Sequence, residues 1–430
     1  MSRERPKGVI VHRSHLLRLL TAAVISASLL ALAACGGGKS STAADKSTST
    51  PAAPAPTGAP IKFSVLYPKA GPNATPEVYD GAQAAAMAVN AAGGVAPQAG
   101  GPKRPIQLVA CDADNTKNPS GPAQCAKTVV GQGIVADVGK YTLAGDEDDV
   151  FQKAGVAMLG NSPFSQQDLT SPLSFPLSGA SATLVPATAA ALQASGATKV
   201  GYLSLDIPAA HAAAAFIGPI LKGGPKDLVA TTLLPTDPSA DPSAFFAKLA
   251  AAKPDGVILG VPAGMMAQVV TGLRQAGYTG KFVATPFSLT KAAIKALGGD
   301  ADGMLSVSDY ASVATGGNAA IAQFNSEMAK YAPNADKDEF SLNSWLAVHQ
   351  AAEVAATLPQ IDAASFAKAL NGRKVALGAA PPFTLGKKDI FLPFPRVFRA
   401  TVQYQVIKDG QIVPSGGAQY VDLNTLAAKQ

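Results

Sequence analysis

The stretch IKFSVLYPKAGPNATPEVYDGAQAAAMAVNAAGG, residues 61–94, carries two periods in succession. IKFSVLYP is a short apolar run of strand type that stops at a proline. EVYDGAQAAAMAVNAAGG reads as a helix that ends at Gly93 and Gly94. The alternation repeats downstream. IQLVACDAD (106–114), IVADVGKY (134–141) and VAMLGNS (156–162) read as strands, and PSGPAQCAKTVVGQ (119–132) and GDEDDVFQKAG (145–155) as helices. Such alternation predicts an α/β fold with a mainly parallel sheet flanked by helices.

A second set starts near Ser181. Strands are expected at KVGYLSLD (199–206), DLVATTLLP (227–235), DGVILGVP (255–262), KFVATPF (281–287) and GMLSVSDY (303–310), with helices between them. Two helices follow, EFSLNSWLAVHQAAEVAATL (339–358) and AASFAKALNG (363–372). Then RVFRATVQYQVIKDGQIVP (396–414) alternates as a strand broken by a KDG turn. Two lobes of this kind hold ligands outside the carboxyl ends of their strands.

Upstream of residue 61 the chain is of another kind. Arg3, Arg5, Lys7, Arg13 and Arg18 form a basic head, followed by a run of apolar and small residues from Leu19 to Ala34. That layout is a signal peptide, and the run is too short and too rich in Ala and Ser for a spanning helix. Leu32-Ala33-Ala34-Cys35 resembles the lipobox of bacterial lipoproteins. The resemblance implies cleavage before Cys35 and lipidation of its sulfur, and two acyl chains hold a domain stably on a bilayer. Residues 1–34 are thus expected as signal peptide. Residues 35–60, rich in Gly, Ser, Thr, Ala and Pro, are expected as a disordered tether. GGGKSS within it lacks the first glycine and the preceding strand of a phosphate loop.

The formal charge of +6 belongs mostly to the leader. Five of the 35 basic residues and one of the 29 acids lie before Cys35, leaving 30 basic against 28 acidic residues. Nothing there argues for nucleic acid. Cys111 and Cys125 remain as an even pair in an exported chain, and a disulfide between them is expected. Beyond the leader only His211 and His349 remain, so no histidine-rich metal site and no cofactor are expected.

Residues 61–430 resemble a type I periplasmic solute-binding protein of the branched-chain amino acid importer class. The match is carried by IKFSVLYPKAGPNA, GAQAAAMAVNAAGGV, IVADVGKYT, VAMLGNSPFSQQDLT, GATKVGYLSLD, AAAKPDGVILG, LRQAGYTGKFVAT and GGDADGMLSV in that order. The resemblance implies two lobes, 61–179 with 309–397 and 180–308 with 398–430. It implies three crossings near 178–180, 306–309 and 395–399, and hinge closure on a small solute. It also implies delivery to a membrane permease driven by an ATPase, by a monomer held at the outer face of the cytoplasmic membrane.

The resemblance places the ligand's carboxylate among hydroxyls and backbone N–H groups at strand ends. Tyr141 and Thr142 in GKYT match one such loop, and Asn161, Ser162, Phe164 and Ser165 in LGNSPFS match the next. The plain alternative for each is a turn residue that caps a helix. On the second lobe the candidate ligand-facing positions are Asp206, Pro262, Thr285 and Phe287; Pro262 stands where the family has an aromatic residue, and Asp206 with the GDEDD acids is the nearest substitute for its acidic clamp. The family's acidic clamp for an ammonium is absent, because Pro286 and Phe287 follow Thr285. A standard branched-chain amino acid is therefore not the expected ligand; a solute with one polar end and an apolar or aromatic body is. GDEDD (145–149) reads as acids serving a helix dipole or as a negative rim for a cationic or polyhydroxyl ligand.

An enzyme is the rival class. Ser288-Leu289-Thr290-Lys291 matches the S-x-x-K of penicillin-interacting serine enzymes and Ser341-Leu342-Asn343 resembles their second motif, but K-T-G is absent. A lipoprotein that senses a ligand and signals to a membrane partner would share the same fold.

Overall fold

Apolar side chains bury β1 (Ile61–Tyr67) inside the first sheet, and its buried Ser64 donates to Asp137 (2.6 Å). The computed structural model describes residues 53–427 apart from 72, 116, 117, 238, 316, 317 and 418. The signal peptide, Cys35 and the tether up to residue 52 lie outside the described residues. The first sheet adds β2 (Ile106–Asp112), β3 (Ala136–Val138), β4 (Ala157–Leu159) and β5 (Ser174–Phe175), in the order β2-β1-β3-β4-β5. Every pairing in it is parallel.

The second sheet is built from β6 (Val200–Leu205), β7 (Leu228–Leu234), β8 (Gly256–Gly260), β9 (Lys281–Ala284) and β10 (Leu305–Ser308). These run parallel in the order β7-β6-β8-β9-β10. A two-stranded ribbon, β11 (Lys374–Val375) with β12 (Phe383–Thr384), stands apart. β13 (Thr401–Lys408) then joins the second sheet antiparallel to β10, and carries β14 (Gln411–Pro414) and β15 (Tyr420–Asp422). Asp409 (φ 51°) and Gly410 (φ 73°) are both left-handed, as a two-residue turn matched to strand twist demands. β13 starts at Thr401 rather than at the expected Arg396, because residues 396–399 form a crossing.

Each core is drawn from two distant parts of the chain. Phe63, Val138 and Phe175 share the first with Trp345, Leu346 and Phe366. Leu203, Val257 and Phe282 share the second with Ile407. The helix Glu339–Ala356 lies on the helix Pro76–Ala91 so closely that a Cβ on Gly81 would stand 2.0 Å from the Ser341 carbonyl oxygen. A third helix in this part, Ala319–Tyr331, was not expected from sequence; Asn318 caps it and Ile321, Phe324 and Met328 bury one face.

The chain passes between the sheets three times, and one side chain meets all three passages. The buried Asp309 carboxylate accepts from the N–H groups of Gly179 (3.1 Å) and Ala180 (3.2 Å) and from the Thr183 hydroxyl (3.0 Å). Arg399 reaches it at 3.6 Å and donates to the Asp309 carbonyl. Cys111 on β2 and Cys125 on the helix Gly121–Val130 are joined as a disulfide, with Cα atoms 5.8 Å apart. Among the described residues no helix is long and apolar enough to cross a membrane, and no cluster of His, Cys, Asp and Glu suits a metal.

Candidate ligand-binding site

The strand order reverses between β1 and β3 in one sheet and between β6 and β8 in the other. Loops leaving the carboxyl ends at such reversals open a crevice; Tyr141, Thr142, Asp206 and Pro262 lie on these loops, and the other candidates on the loops after the adjacent strands β4 and β9. After β3 the chain turns at Gly139, in the left-handed region (φ 69°) and pressed against Ser344, and then presents Lys140, Tyr141 and Thr142.

Lys140 is fully buried. Its Nζ donates to Glu147 (2.8 Å) and to Asp148 and stands 3.0 Å from Asp168. Burial opposes the charge on Lys140, but the surrounding carboxylates, Asp148 first, outweigh it and keep the lysine protonated. Burial likewise opposes ionisation of Glu147. Lys140 and the Thr142 hydroxyl overcome it and hold Glu147 down at about 2. Burial prevails at Asp148 and lifts it to about 8. Glu147 and Asp148 of GDEDD thus serve an internal cation, while Asp149 is exposed. The negative rim that the sequence suggested is reduced accordingly.

The same network takes up several candidates. Thr142 donates to Glu147. Asn161 donates to Asp168 (2.8 Å) and Ser174 (2.9 Å). Ser165 caps the helix Gln166–Thr170 in a capping box with Asp168. These side chains shape the loops from beneath. Ser162 is buried beside them, and its N–H donates to the Lys140 carbonyl (2.9 Å).

Four aromatic rings meet across the crevice. Tyr141 and Phe164 come from the loops after β3 and β4, Phe340 from the helix Glu339–Ala356, and Phe287 from the loop after β9. Ring centroids are 5.3 Å apart for Tyr141–Phe164, 4.9 Å for Tyr141–Phe340, 5.1 Å for Phe164–Phe287 and 4.8 Å for Phe287–Phe340. Three pairs are edge-to-face, the arrangement that ring quadrupoles favour. Burial raises the Tyr141 phenol to about 12, so it stays protonated.

A cavity of about 650 Å³ is lined by residues that precede two of these rings in the chain, though by none of the four rings themselves. Pro286 and Glu339 line it, and their chain neighbours Phe287 and Phe340 belong to the cluster. Tyr310, Ser308, Leu289 and Gln405 line it as well. Thr285 is half-buried at the end of β9, and Pro262 is exposed after β8. Asp206, largely exposed, pairs with His211 at 2.7 Å and joins neither the cluster nor the cavity lining. Sequence reasoning missed Lys140, Glu339, Phe340 and Tyr310. Lys140 stood inside the quoted GKYT, and a lysine at the end of an apolar strand was the available signal.

A family model described as periplasmic binding protein matches residues 60–410. The chain belongs to that family. The family is one of extracytoplasmic binding proteins. No curated protein matches the chain. Solved periplasmic binding proteins share the fold. A possible leucine/isoleucine/valine-binding protein from Rhodopirellula baltica superposes with a TM-score of 0.68 at 17% identity, covering 87% of this chain and 99% of that one. A solute-binding protein from R. palustris in complex with benzoate gives 0.68 at 18% identity, covering 84% and 97%. Another from R. palustris, in complex with 4-hydroxybenzoate, gives 0.67 at 18% identity, covering 83% and 95%.

Proposed function

We propose that this chain is the lipid-anchored solute-binding component of an ABC importer. It closes two lobes, 61–179 with 309–397 and 180–308 with 398–430, on a small solute with one polar end and an aromatic body, and delivers that solute to a permease. The four-ring cluster of Tyr141, Phe164, Phe287 and Phe340 carries the reading, because it brings aromatic faces from both sides of the crevice to one place. Thr285, Pro286 and Phe287 offer no carboxylate after β9 to meet an ammonium, and an unpaired charge in a closed cleft is costly. The benzoate and 4-hydroxybenzoate held by two structural neighbours support an aromatic solute. Lipidation of Cys35 would keep the chain on the outer membrane face, beside its permease.

Calorimetry of the purified full chain tests the reading. Benzoate is expected to bind, while leucine, isoleucine and valine do not. Phe287→Ala should weaken benzoate roughly two- to tenfold, as the loss of one ring contact implies. Micromolar binding of any of the three amino acids, with none of benzoate, would overturn it.

A further inference from the structure

We infer that Glu339 and the cavity it lines form a subsite for a hydroxyl group on the solute. The inference rests on the aromatic reading above and extends it to a second recognition point.

Glu339 opens the helix Glu339–Ala356, directly after its cap Asp338. Its carboxyl is buried, yet only half used. Oε2 is paired with the Ser308 hydroxyl, and Oε1 is buried without a hydrogen-bond partner. Several other polar groups of the lining already have partners. The Tyr310 hydroxyl donates to Asn343 (2.6 Å), and Lys291 is paired with Asp336 (3.2 Å). The Ser308 hydroxyl already accepts from the Tyr310 N–H (3.0 Å). Gln405 donates to the Tyr310 carbonyl (3.4 Å) and to Gln403 (3.3 Å). The cavity thus combines room for a substituent with a buried carboxyl that has capacity left.

A hydroxyl is the group that fits. Burial, and next the Asp309 charge, lift Glu339 to about 8, so both of its states are within reach near neutral pH. An ammonium pairs best with the ionised state, and a carboxylate only with the protonated one. A hydroxyl donates or accepts, and pairs with the carboxyl in either state. The position suits a ring substituent, since Phe287 and Phe340 adjoin the lining residues Pro286 and Glu339.

The test is calorimetry of the full chain with benzoate, 3-hydroxybenzoate, 4-hydroxybenzoate, 4-(aminomethyl)benzoate and cyclohexanol. One hydroxybenzoate should bind at least tenfold more tightly than benzoate. Glu339→Leu should bring that ratio near one, and Glu339→Gln, which keeps a neutral donor and acceptor, should preserve most of it. Thermal melts of both variants establish that they fold. Equal affinity for benzoate and both hydroxybenzoates overturns the subsite and leaves the aromatic reading standing. So does a hydroxyl preference that survives Glu339→Leu. Tightest binding of the aminomethyl compound, abolished by Glu339→Gln, also overturns it, by showing a charge site. If no benzoate derivative binds but cyclohexanol does so through Glu339, the subsite stands and the aromatic reading falls. If nothing binds, both fall.

Discussion

Replacing Lys140 with methionine removes a cation and keeps most of its volume. Three buried carboxyls lose their common partner: Glu147 at 2.8 Å, Asp148, and Asp168 at 3.0 Å. Removing one partner of a buried ion pair typically costs about 3–5 kcal/mol. The lower end applies here, because Glu147 and Asp168 keep other donors, Thr142 and the Gly145 N–H for one, Asn161 and Ser165 for the other. The expected loss is about 3 kcal/mol at pH 7.5. At about 2 °C per kcal/mol, the value for large domains, the melting temperature falls by about 6 °C. Trp345, the single tryptophan, lies in the core of the same lobe, so urea unfolding followed by its fluorescence reads the loss directly. The sign with pH follows from Glu147. Its folded pKa is depressed from 4.5 to about 2, so its contribution is present above about 4.5 and is lost as pH falls toward 2. Lys140→Met lacks that contribution, and its deficit should shrink on acidification through that window. A deficit below about 1 kcal/mol at pH 7.5, or one that grows with acid, would refute the reasoning.

Two further outcomes are expected. Cys35→Ser, expressed in an exporting host and fractionated, should leave the membrane for the soluble fraction; retention as firm as the parent's would rule out the lipid anchor. Replacing Cys111 and Cys125 with serine should destabilise by about 3 kcal/mol for a loop of this length, measured by urea unfolding, and an unchanged midpoint would contradict a stabilising crosslink.

The layered architecture was legible because each strand and helix carries its own period. β1 with the helix Pro76–Ala91, and the β13–β14 hairpin with its Asp409-Gly410 turn, are local patterns. The helix Ala319–Tyr331 carries apolar residues at helical spacing, and Asn318 announces its start, so it could have been read and was not. The pairing of Cys111 with Cys125 was open to counting. The site was legible only in part. Tyr141, Phe164 and Phe287 come from strand-end loops that the pattern locates, but Phe340 meets them from a helix some 180 residues beyond Phe164, and no local rule predicts that meeting. Glu147 and Asp148 looked like ordinary helix-start acids. Their real partner lies on the preceding loop, and burial, which sequence does not report, turns a favourable dipole contact into an obligatory ion cluster.

The two-segment make-up of each core bears on when the chain can acquire its shape. β13, near the end, completes the second sheet against β10, and the helix Glu339–Ala356 covers the helix next to β1. A chain synthesised only as far as residue 300 would therefore hold one half-covered sheet and one sheet lacking β10 and β13. Contacts of such long separation form slowly and late. Completion of the second sheet thus waits for residues 401–408, close to the end of synthesis.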